Sequence, residues 1–353
     1  MQIQVPRVSV PRAVIDWLLE ENEPSVRYET LVRLLGKNET EPSVNKTREM
    51  IGNRGWASKI FEKQKEGIYW DNPTSSIAPK FSATFWQLLV LADLGASSKE
   101  PRIARAVEHF LDLHGVENGG VSLYAKGHEK FEPHICATGN MVRALARLGY
   151  SEDDRVLRSL DWLISMQLSD GGWNCYPPGS HGSFTSTVQP VWALSEMMGH
   201  DARRGWETSA KKGSEFLLKH RVFKSDRDES VVLLDFLRLH YPLAYAYDFL
   251  HGLRVLTELG IKNDERMNDA VSLLLEKQMP DGKWLLEAVY RGWRHSHGIH
   301  GEGSVYRPEE RELITEGWGP QRAYQIEEVG KPSKWITLQA LLVLKRMGLF
   351  KSE

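Results

Sequence analysis

Four side chains able to bind a metal or move a proton fall within eight residues of one glycine-rich stretch, RHSHGIHGEG: His295, His297, His300 and Glu302. Imidazoles and a carboxylate at that spacing can ligate zinc or another transition metal. They can equally supply acid–base groups that titrate near neutral pH, and a solvated histidine-rich loop has the same composition. A second stretch, QLSDGGWNCYPP (167–178), holds an acid (Asp170), a thiol (Cys175) and a glycine pair beside Trp173. It reads either as a catalytic loop or as a structural clasp. Rings and polar groups also gather at Trp70, Asp71 and Lys80, and at Asp235, Arg238, His240, Tyr245 and Asp248. Rings with scattered acids can stabilise a carbocation. The same set can stack on sugars while two carboxylates cleave a glycosidic bond. No P-loop, dinucleotide fingerprint or HExxH motif occurs.

The chain that must position these groups has 353 residues, 41% of them hydrophobic, and a formal net charge of −2. Such a balance offers no overall field for nucleic acid or an anionic membrane. No run of about 18 apolar residues predicts a membrane span, and the N-terminal stretch lacks the pattern of a secretory signal. With 2 cysteines no disulfide framework is expected. The expectation is a soluble, cytoplasmic globular protein. Its 12 Trp residues call for a wide core or a ring-lined site.

The positioning elements emerge when the chain is compared with itself. Five segments stack without gaps onto a terminal glycine: FSATFWQLLVLADLG to Gly95, ICATGNMVRALARLG to Gly149, TSTVQPVWALSEMMG to Gly199, AYDFLHGLRVLTELG to Gly260 and KWITLQALLVLKRMG to Gly348. A shorter sixth, SVRYETLVRLLG, ends at Gly36. Apolar residues at three- and four-residue spacing followed by glycine predict amphipathic helices with left-handed C-caps. Each is preceded by another amphipathic run with a charged face, the least regular of them within residues 44–65. The pattern predicts about six helical hairpins with apolar inner and charged outer helices. A closed all-α, α/α toroid buries the inner layer better than an open solenoid would. We place no domain boundary within residues 1–353, and the last hairpin carries a long insertion, about 285–332. Insertions of that length tend to be functional lids, and this one contains Trp318.

The stretch QLSDGGW has echoes in QKEGIYW (Gln64 to Trp70) and QMPDGKW (Gln278 to Trp284), with VENGGVSLY (116–124) as a degenerate copy. Here the sequence resembles the terpenoid-cyclase and protein-prenyltransferase α/α toroids. Their QW repeats, as in squalene-hopene-type cyclases, place Gln and Trp around a glycine at the end of an outer helix. In this reading Gln167, Asp170 and Trp173 are structural: the Gln amide donates to carbonyls near the next inner helix, the Trp shields it, and Asp170 is a turn residue.

The resemblance places a site in the central cavity, at the end formed by inner-helix N-termini. Counting back from each terminal glycine, residues thirteen, nine and six before it share one helical face. That face carries Trp86, Cys136, Asn140, Arg143, Tyr247, His251, Arg254 and Trp335. We take these, with Trp70, Asn174, Cys175, His181, His240 and Trp318, as candidate contacts to a small molecule that is hydrophobic or sugar-like. The Asp-x-Asp-Asp acid of the cyclases and the Asp-Asp-x-x-Asp of class I synthases are both absent. The nearest acidic cluster, SEDDR (151–155), reads as an outer-helix start with Ser151 as N-cap. Prenyltransferase catalytic subunits hold zinc through Asp-x-Cys at an inner-helix start and a later His. His134 and Cys136 match that spacing with His in place of Asp, which makes zinc the cofactor the resemblance implies. The leading expectation is an enzyme acting on an isoprenoid-like substrate, with Asp71, Asp248, His251, His297 or His300 as acid or base. The alternatives are a carbohydrate-active enzyme on a helical toroid and a toroid that binds a ligand or protein without catalysis.

Overall fold

Helix starts and stops follow local chemistry throughout the computed structural model, which describes residues 8–175, 181–198, 205–289 and 326–352. Proline at the first helical position opens α2 (Pro24–Glu29), α3 (Pro42–Met50) and α6 (Pro101–His114), where its missing N–H is no loss. Asp153, not Ser151, caps α8 (Asp154–Ser165) by accepting from the Arg155 amide. Asp248 and Ser333 cap α11 (Phe249–Glu258) and α13 (Lys334–Arg346) in the same way. The expected C-caps are present at Gly36, Gly95, Gly149, Gly260 and Gly348, whose φ values run from +70° to +102°. Past three of them the chain closes the bond typical of a left-handed cap, from Ala96 N to Leu91 O, Ile261 N to Leu256 O and Leu349 N to Leu344 O. Gly199 lies outside the described residues.

Outer and inner elements alternate along the chain. The outer ones are α1 (Arg12–Leu18), α3 with α4 (Gly55–Phe61), α6, α8, α10 (Trp206–Lys219) and α12 (Asn268–Glu276). The irregular partner expected within 44–65 is therefore two short helices. The inner ones are α2, prolonged by a π-helical turn Thr30–Leu34, then α5 (Thr84–Asp93), α7 (Ile135–Leu145), α9 (Phe184–Met198), α11 and α13. Every residue of α5 and α7 is buried, whereas α6 buries only Ile103, Ala106, Val107, Phe110, Leu111 and His114, a stripe at helical spacing. From α5 onward each inner helix packs on the next, α5 on α7, α7 on α9, α9 on α11 and α11 on α13, and α13 packs back on α2 and its π turn. At α7–α9 the approach requires Gly139, because a Cβ there would lie 2.9 Å from the Pro190 nitrogen.

The structure adds one strand pair that the helical pattern did not predict. Val8–Val10 (β1) runs parallel to Phe350–Ser352 (β2), with Val8 opposite Phe350, joining the two ends of the described chain. The long insertion is closed at its base, where Leu285 pairs with Pro332 and Leu286 N donates to Lys331 O. No helix among the described residues is long and apolar enough to cross a membrane.

The three QW stretches form one repeated clasp. Trp70, Trp173 and Trp284 each donate an indole N–H to the carbonyl ten residues earlier, on Ile60, Leu163 and Leu274, at 2.7–2.8 Å. Each Trp backbone N–H donates to a threonine hydroxyl in the first turn of the following inner helix, Thr84, Thr187 or Thr337, at 3.0–3.1 Å. The degenerate copy keeps the second bond, from Val121 N to Thr138 Oγ1 at 2.8 Å. Two of the glutamines bind the next outer helix, while Gln278, like Gln167, donates to a carbonyl of its own loop, Gly282 O and Gly171 O respectively. Gln64 donates to Arg102 O, and Gln167 donates to Ser209 O while accepting from the Ser209 hydroxyl. A clasp thus ties an outer helix to the inner helix that follows it and, at Gln64 and Gln167, to the outer helix beyond.

Trp284→Phe removes the indole donor and leaves the buried Leu274 carbonyl without it, so the expected loss of stability is about 1–3 kcal/mol. Thr337→Val, which strands the Trp284 amide, should cost a similar amount, and Thr337→Ser should cost less. Denaturant unfolding with unchanged m-values would measure this. Equal stability of Thr337→Val and wild type would show that the clasp is not a stabilising bond.

Candidate functional site

The polar face counted back from the terminal glycines is buried as a whole. Asn140, Arg143, Tyr247, His251, Arg254 and Trp335 are each 2% exposed or less. Their partners lie within the protein. Arg143 pairs with Asp93 at 2.5 Å and lies over the Trp192 ring at 3.8 Å, and Arg254 covers Trp192 at 4.3 Å. His251 meets the same indole edge-on at 4.7 Å. Two guanidiniums and an imidazole around one ring make Trp192 the centre of this face.

Arg143 and Arg254 belong to a larger belt near the C-terminal ends of the inner helices. Arg147 joins Glu29 and Glu196, each at 3.0 Å, and Glu258 is approached by Arg33, Arg254 and Arg346 at 3.7, 3.3 and 3.2 Å. With the Asp93–Arg143 pair these contacts reach every inner helix. Burial would raise the Glu258 carboxyl, but Arg254, Arg346, Arg33 and Arg147 outweigh it and bring the value down to about 2. The sequence carried a sign of this belt that the stripe count missed. A charged residue stands two or three positions before each terminal glycine: Arg33, Asp93, Arg147, Glu196, Glu258 and Arg346.

Toward the inner-helix N-termini, the segment 241–246 is held across the stripe. Asn140 and Gln189 both donate to the Ala244 carbonyl, at 3.2 and 3.1 Å. Tyr241 stacks on Trp335 at 4.8 Å, and Tyr245 meets Trp86 edge-on at 5.4 Å. Asn140, Trp86 and Trp335, expected to touch a ligand, thus touch this segment. Two small cavities remain beside it, and Leu243 lines both. The first is walled by Phe81, Trp86, Leu89, Val90 and Trp192, with Asp93 and Arg143 completing it. Its volume is about 20 Å³, room for roughly one water molecule. The second, of about 10 Å³, adjoins His240, Asp248, His251, Trp335 and Gln339.

The titratable groups at this end are differently committed. Asp248 accepts from the amides of His251 and His240, at 2.7 and 2.8 Å, as the cap of α11. His240 faces Asp235 through Nε2 at 3.2 Å and Asp248 through Nδ1 at 3.6 Å, and Nδ1 is 2.7 Å from Arg238 O. Burial works to deprotonate His240, but the bonds and charges of Asp235 and Asp248 prevail and raise it to about 9. His251 goes the opposite way: burial first, then the charges of Arg254 and Arg143, hold it well below the usual imidazole range. Neither of its ring nitrogens closes a well-formed hydrogen bond, although the Ala246 carbonyl lies near enough to favour protonation somewhat. The Tyr247 hydroxyl donates to Val222 O, and burial raises its pKa well above the usual phenol value.

Other expected residues lie apart from this space. Trp70 is a clasp residue, closed off by its bonds to Ile60 and Thr84. Asp71 stands in the same loop with its side chain 40% exposed and Lys65 4.0 Å away. Asn174 donates to His181 O at 2.9 Å. Cys175, expected to meet a ligand, is joined to Cys136 in a single disulfide across 39 residues, a bridge not foreseen where no disulfide framework was expected. His134 lies beside that bridge, with its ligand atom and both sulfurs within 4.8 Å of one another. A metal there requires the reduced thiolates. His295, His297, His300, Glu302 and Trp318 lie outside the described residues. The stripe count also passed over Trp192, Asp93, Phe81 and Gln189. Trp192 falls one position off the counted face, and Asp93 is recognisable only through its partner.

No protein-family model matches the chain, and no curated protein matches it. Among solved structures it is similar to the type II terpene cyclase MstE from Scytonema in its apo form, at 18% identity and a TM-score of 0.44 over 93% of this chain and 89% of that one. It is also similar to a variant of that cyclase in complex with geranylgeranyl dihydroxybenzoate, at 17% identity and a TM-score of 0.43 over 93% and 88% of the two chains. A third similar structure holds that enzyme's product, merosterolic acid A, at 18% identity and a TM-score of 0.42 over 92% and 86%. A likeness of this degree carries no argument about this chain's site.

Because His240 holds its proton more tightly in the folded state, with a value of about 9 against an ordinary 6.5, its contribution to stability is complete below about pH 6.5 and is lost as pH rises through about 9. The expected decline is on the order of 3 kcal/mol. Unfolding free energies measured at pH 6.5 and 9.5 should show it in wild type and a flatter profile in Asp235→Asn. Parallel profiles for the two proteins would remove His240 as the cause.

Proposed function

We propose that residues 1–353 form a single α/α toroid whose centre takes a small hydrophobic, isoprenoid-like molecule. The observation that carries this reading is the wall of the first cavity, where Phe81, Trp86, Leu89, Val90, Trp192 and Leu243 present apolar surface. The charges beside it, Asp93 and Arg143, are spent on each other. Such a wall favours a mainly apolar ligand, with Arg143 Nε and Trp192 Nε1, buried without a hydrogen-bond partner among the described residues, as its unpaired polar groups. Leu243 separates this cavity from the one at His251, so a ligand that displaces Leu243 joins the two.

As an enzyme, the toroid would use His251 for proton transfer. An imidazole kept neutral beside two guanidiniums is present with its lone pair free, as a base of reduced strength and not as an acid. Among the described residues the buried acids are otherwise engaged: Asp93 with Arg143, and Asp248 with two amides. The reading is therefore a binding toroid with a candidate base, and the alkene-protonating acid of the cyclases has no counterpart at these positions. A cytoplasmic location adds a condition, since the Cys136–Cys175 bridge would there be exposed to reduction.

The carbohydrate reading draws on a separate groove that holds Trp17, Trp56, Glu23 and Glu327. Burial, with smaller opposing and reinforcing contributions from its neighbours, pushes Glu23 up to about 7. Lys283 and Lys334 lie over the Trp17 ring at 4.8 and 5.5 Å, and Glu327 accepts from Ser333 Oγ, Lys334 N and Trp335 N. A ring already covered and a carboxylate already saturated rank this groove second.

Titration with geranylgeraniol, followed by tryptophan fluorescence, should give saturable binding in wild type. Leu243→Ala should bind more tightly, by about fourfold for each further methylene buried. Absence of saturable binding in both proteins would sink the reading. Binding of an oligosaccharide that is lost in Trp56→Ala would replace it with the second.

A further inference from the structure

Two imidazoles and a carboxylate converge on the outside of the clasp at Trp173. His181 precedes α9, His220 ends α10, and Asp226 follows in the next loop. One ligand atom from each lies within 4.8 Å of the other two. His220 is 5% exposed, and its Nε2 is buried without a hydrogen-bond partner among the described residues. Its Nδ1 is 3.2 Å from the Lys224 carbonyl, an acceptor that fixes the N–H on that nitrogen and leaves the lone pair on Nε2. His181 is held in the same sense, its Nδ1 2.9 Å from Asp170 Oδ2. Asp170 is itself fixed by the amides of Gly172 and Gly182, at 2.9 and 2.7 Å. Phe184 and Phe216 pack on the His220 ring at 5.3 and 4.5 Å and set its plane.

A histidine whose second nitrogen is held by a carboxylate or a backbone carbonyl is oriented as metal-bound histidines are. Here both are, one by each kind of acceptor. An unpartnered buried nitrogen also needs an explanation, and a cation between the rings provides one. We propose that His181 Nε2, His220 Nε2 and an Asp226 carboxylate oxygen bind one divalent ion of the zinc class, leaving a fourth position open to water. Two imidazoles select zinc and its transition-metal neighbours over magnesium or calcium. Tetrahedral zinc sets its ligand atoms about 3.3 Å apart, so a small closure is required. His181, at 54% side-chain exposure, can supply it. Lys219, 3.3 Å from Asp226 and 65% exposed, is a surface cation that the ion displaces. The site would tie the loop before α9 to the loop after α10.

The test uses the full chain, stripped with chelator and with its disulfide intact, titrated with cobalt(II) and then zinc. One equivalent of cobalt should bind with d–d bands and without the near-ultraviolet sulfur charge-transfer band, and zinc should displace it. His181→Ala and Asp226→Asn, both at exposed positions that the fold tolerates, should each weaken binding at least tenfold. Asp170→Asn, which alters the group orienting His181, should weaken it by about 10–100-fold. His134→Ala should leave binding unchanged. Failure to bind one equivalent, or binding that persists in His181→Ala but disappears in His134→Ala, would overturn the assignment.

Discussion

The buried ion-pair belt is the constraint on which the arrangement of the inner helices depends. Five guanidiniums (Arg33, Arg143, Arg147, Arg254, Arg346) meet four carboxylates (Glu29, Asp93, Glu196, Glu258), and most of them are inaccessible to water. A charge in such surroundings is tolerated only with its partner in place, and losing one partner of a buried pair costs about 3–5 kcal/mol. Apart from Arg33–Glu29 and Arg254–Glu258, which lie along one helix each, the pairs join different inner helices. A helix that slid or rotated would therefore strand a charge, whereas an apolar contact could repack. The position of the belt near the helix C-termini suits its excess of guanidiniums, because exposed carbonyls give those ends partial negative charge. The left-handed glycines set the level at which each helix stops, and so keep the charges in register.

The clasps secure the opposite end. There the Trp–carbonyl and Trp–Thr bonds fix where α5, α9 and α13 begin, and Val121–Thr138 does so for α7, while the belt fixes where the inner helices finish. Between these two rings of polar contacts the inner helices are free to be almost wholly apolar, as α5 is. The chain spends few polar groups on the middle, and those it places there bind its own backbone, as Asn140 and Gln189 do at Ala244. The segment 241–246 contributes side chains to both small cavities and is held by the Ala244 carbonyl, the Tyr241 amide on Ala288 O, and ring contacts of Tyr241 with Trp335 and of Tyr245 with Phe85 and Trp86.

The helices and the clasps were legible because they are periodic. The spacing of Gly36, Gly95, Gly149, Gly260 and Gly348 marks helix ends whatever the rest of the fold does, and Gln-to-Trp spacing repeats locally. The site was less legible because its meaning rests on partners distant in sequence. The count from the glycines found Asn140, Arg143, His251 and Arg254, yet it could not reveal that Arg143 is held by Asp93, 50 residues away. Nor could it show that Asn140 donates to Ala244, 104 residues away. Trp70 was misplaced for a local reason: an aromatic beside an acid looks like a binding pair, but the Gln64 spacing already made it a clasp. Cys136 and Cys175 carried no local sign of their pairing, since two cysteines 39 apart define no pattern.

The stretch QLSDGGWNCYPP shows how one loop can serve structure and chemistry with different residues. Gln167 and Trp173 perform the clasp, as their counterparts do in the other two copies. Asp170, a turn residue by its amide contacts, has a second carboxylate oxygen that orients His181. Cys175 reaches back to α7 through Cys136. The loop before α9 is thereby tethered to the preceding inner helix by sulfur and placed against the end of α10 by His181. The counterpart clasps at Trp70 and Trp284 have neither a cysteine nor a histidine in these positions, and they need neither to close. The added groups are thus not explained by the clasp. These groups are the least redundant residues at this end of the inner helices.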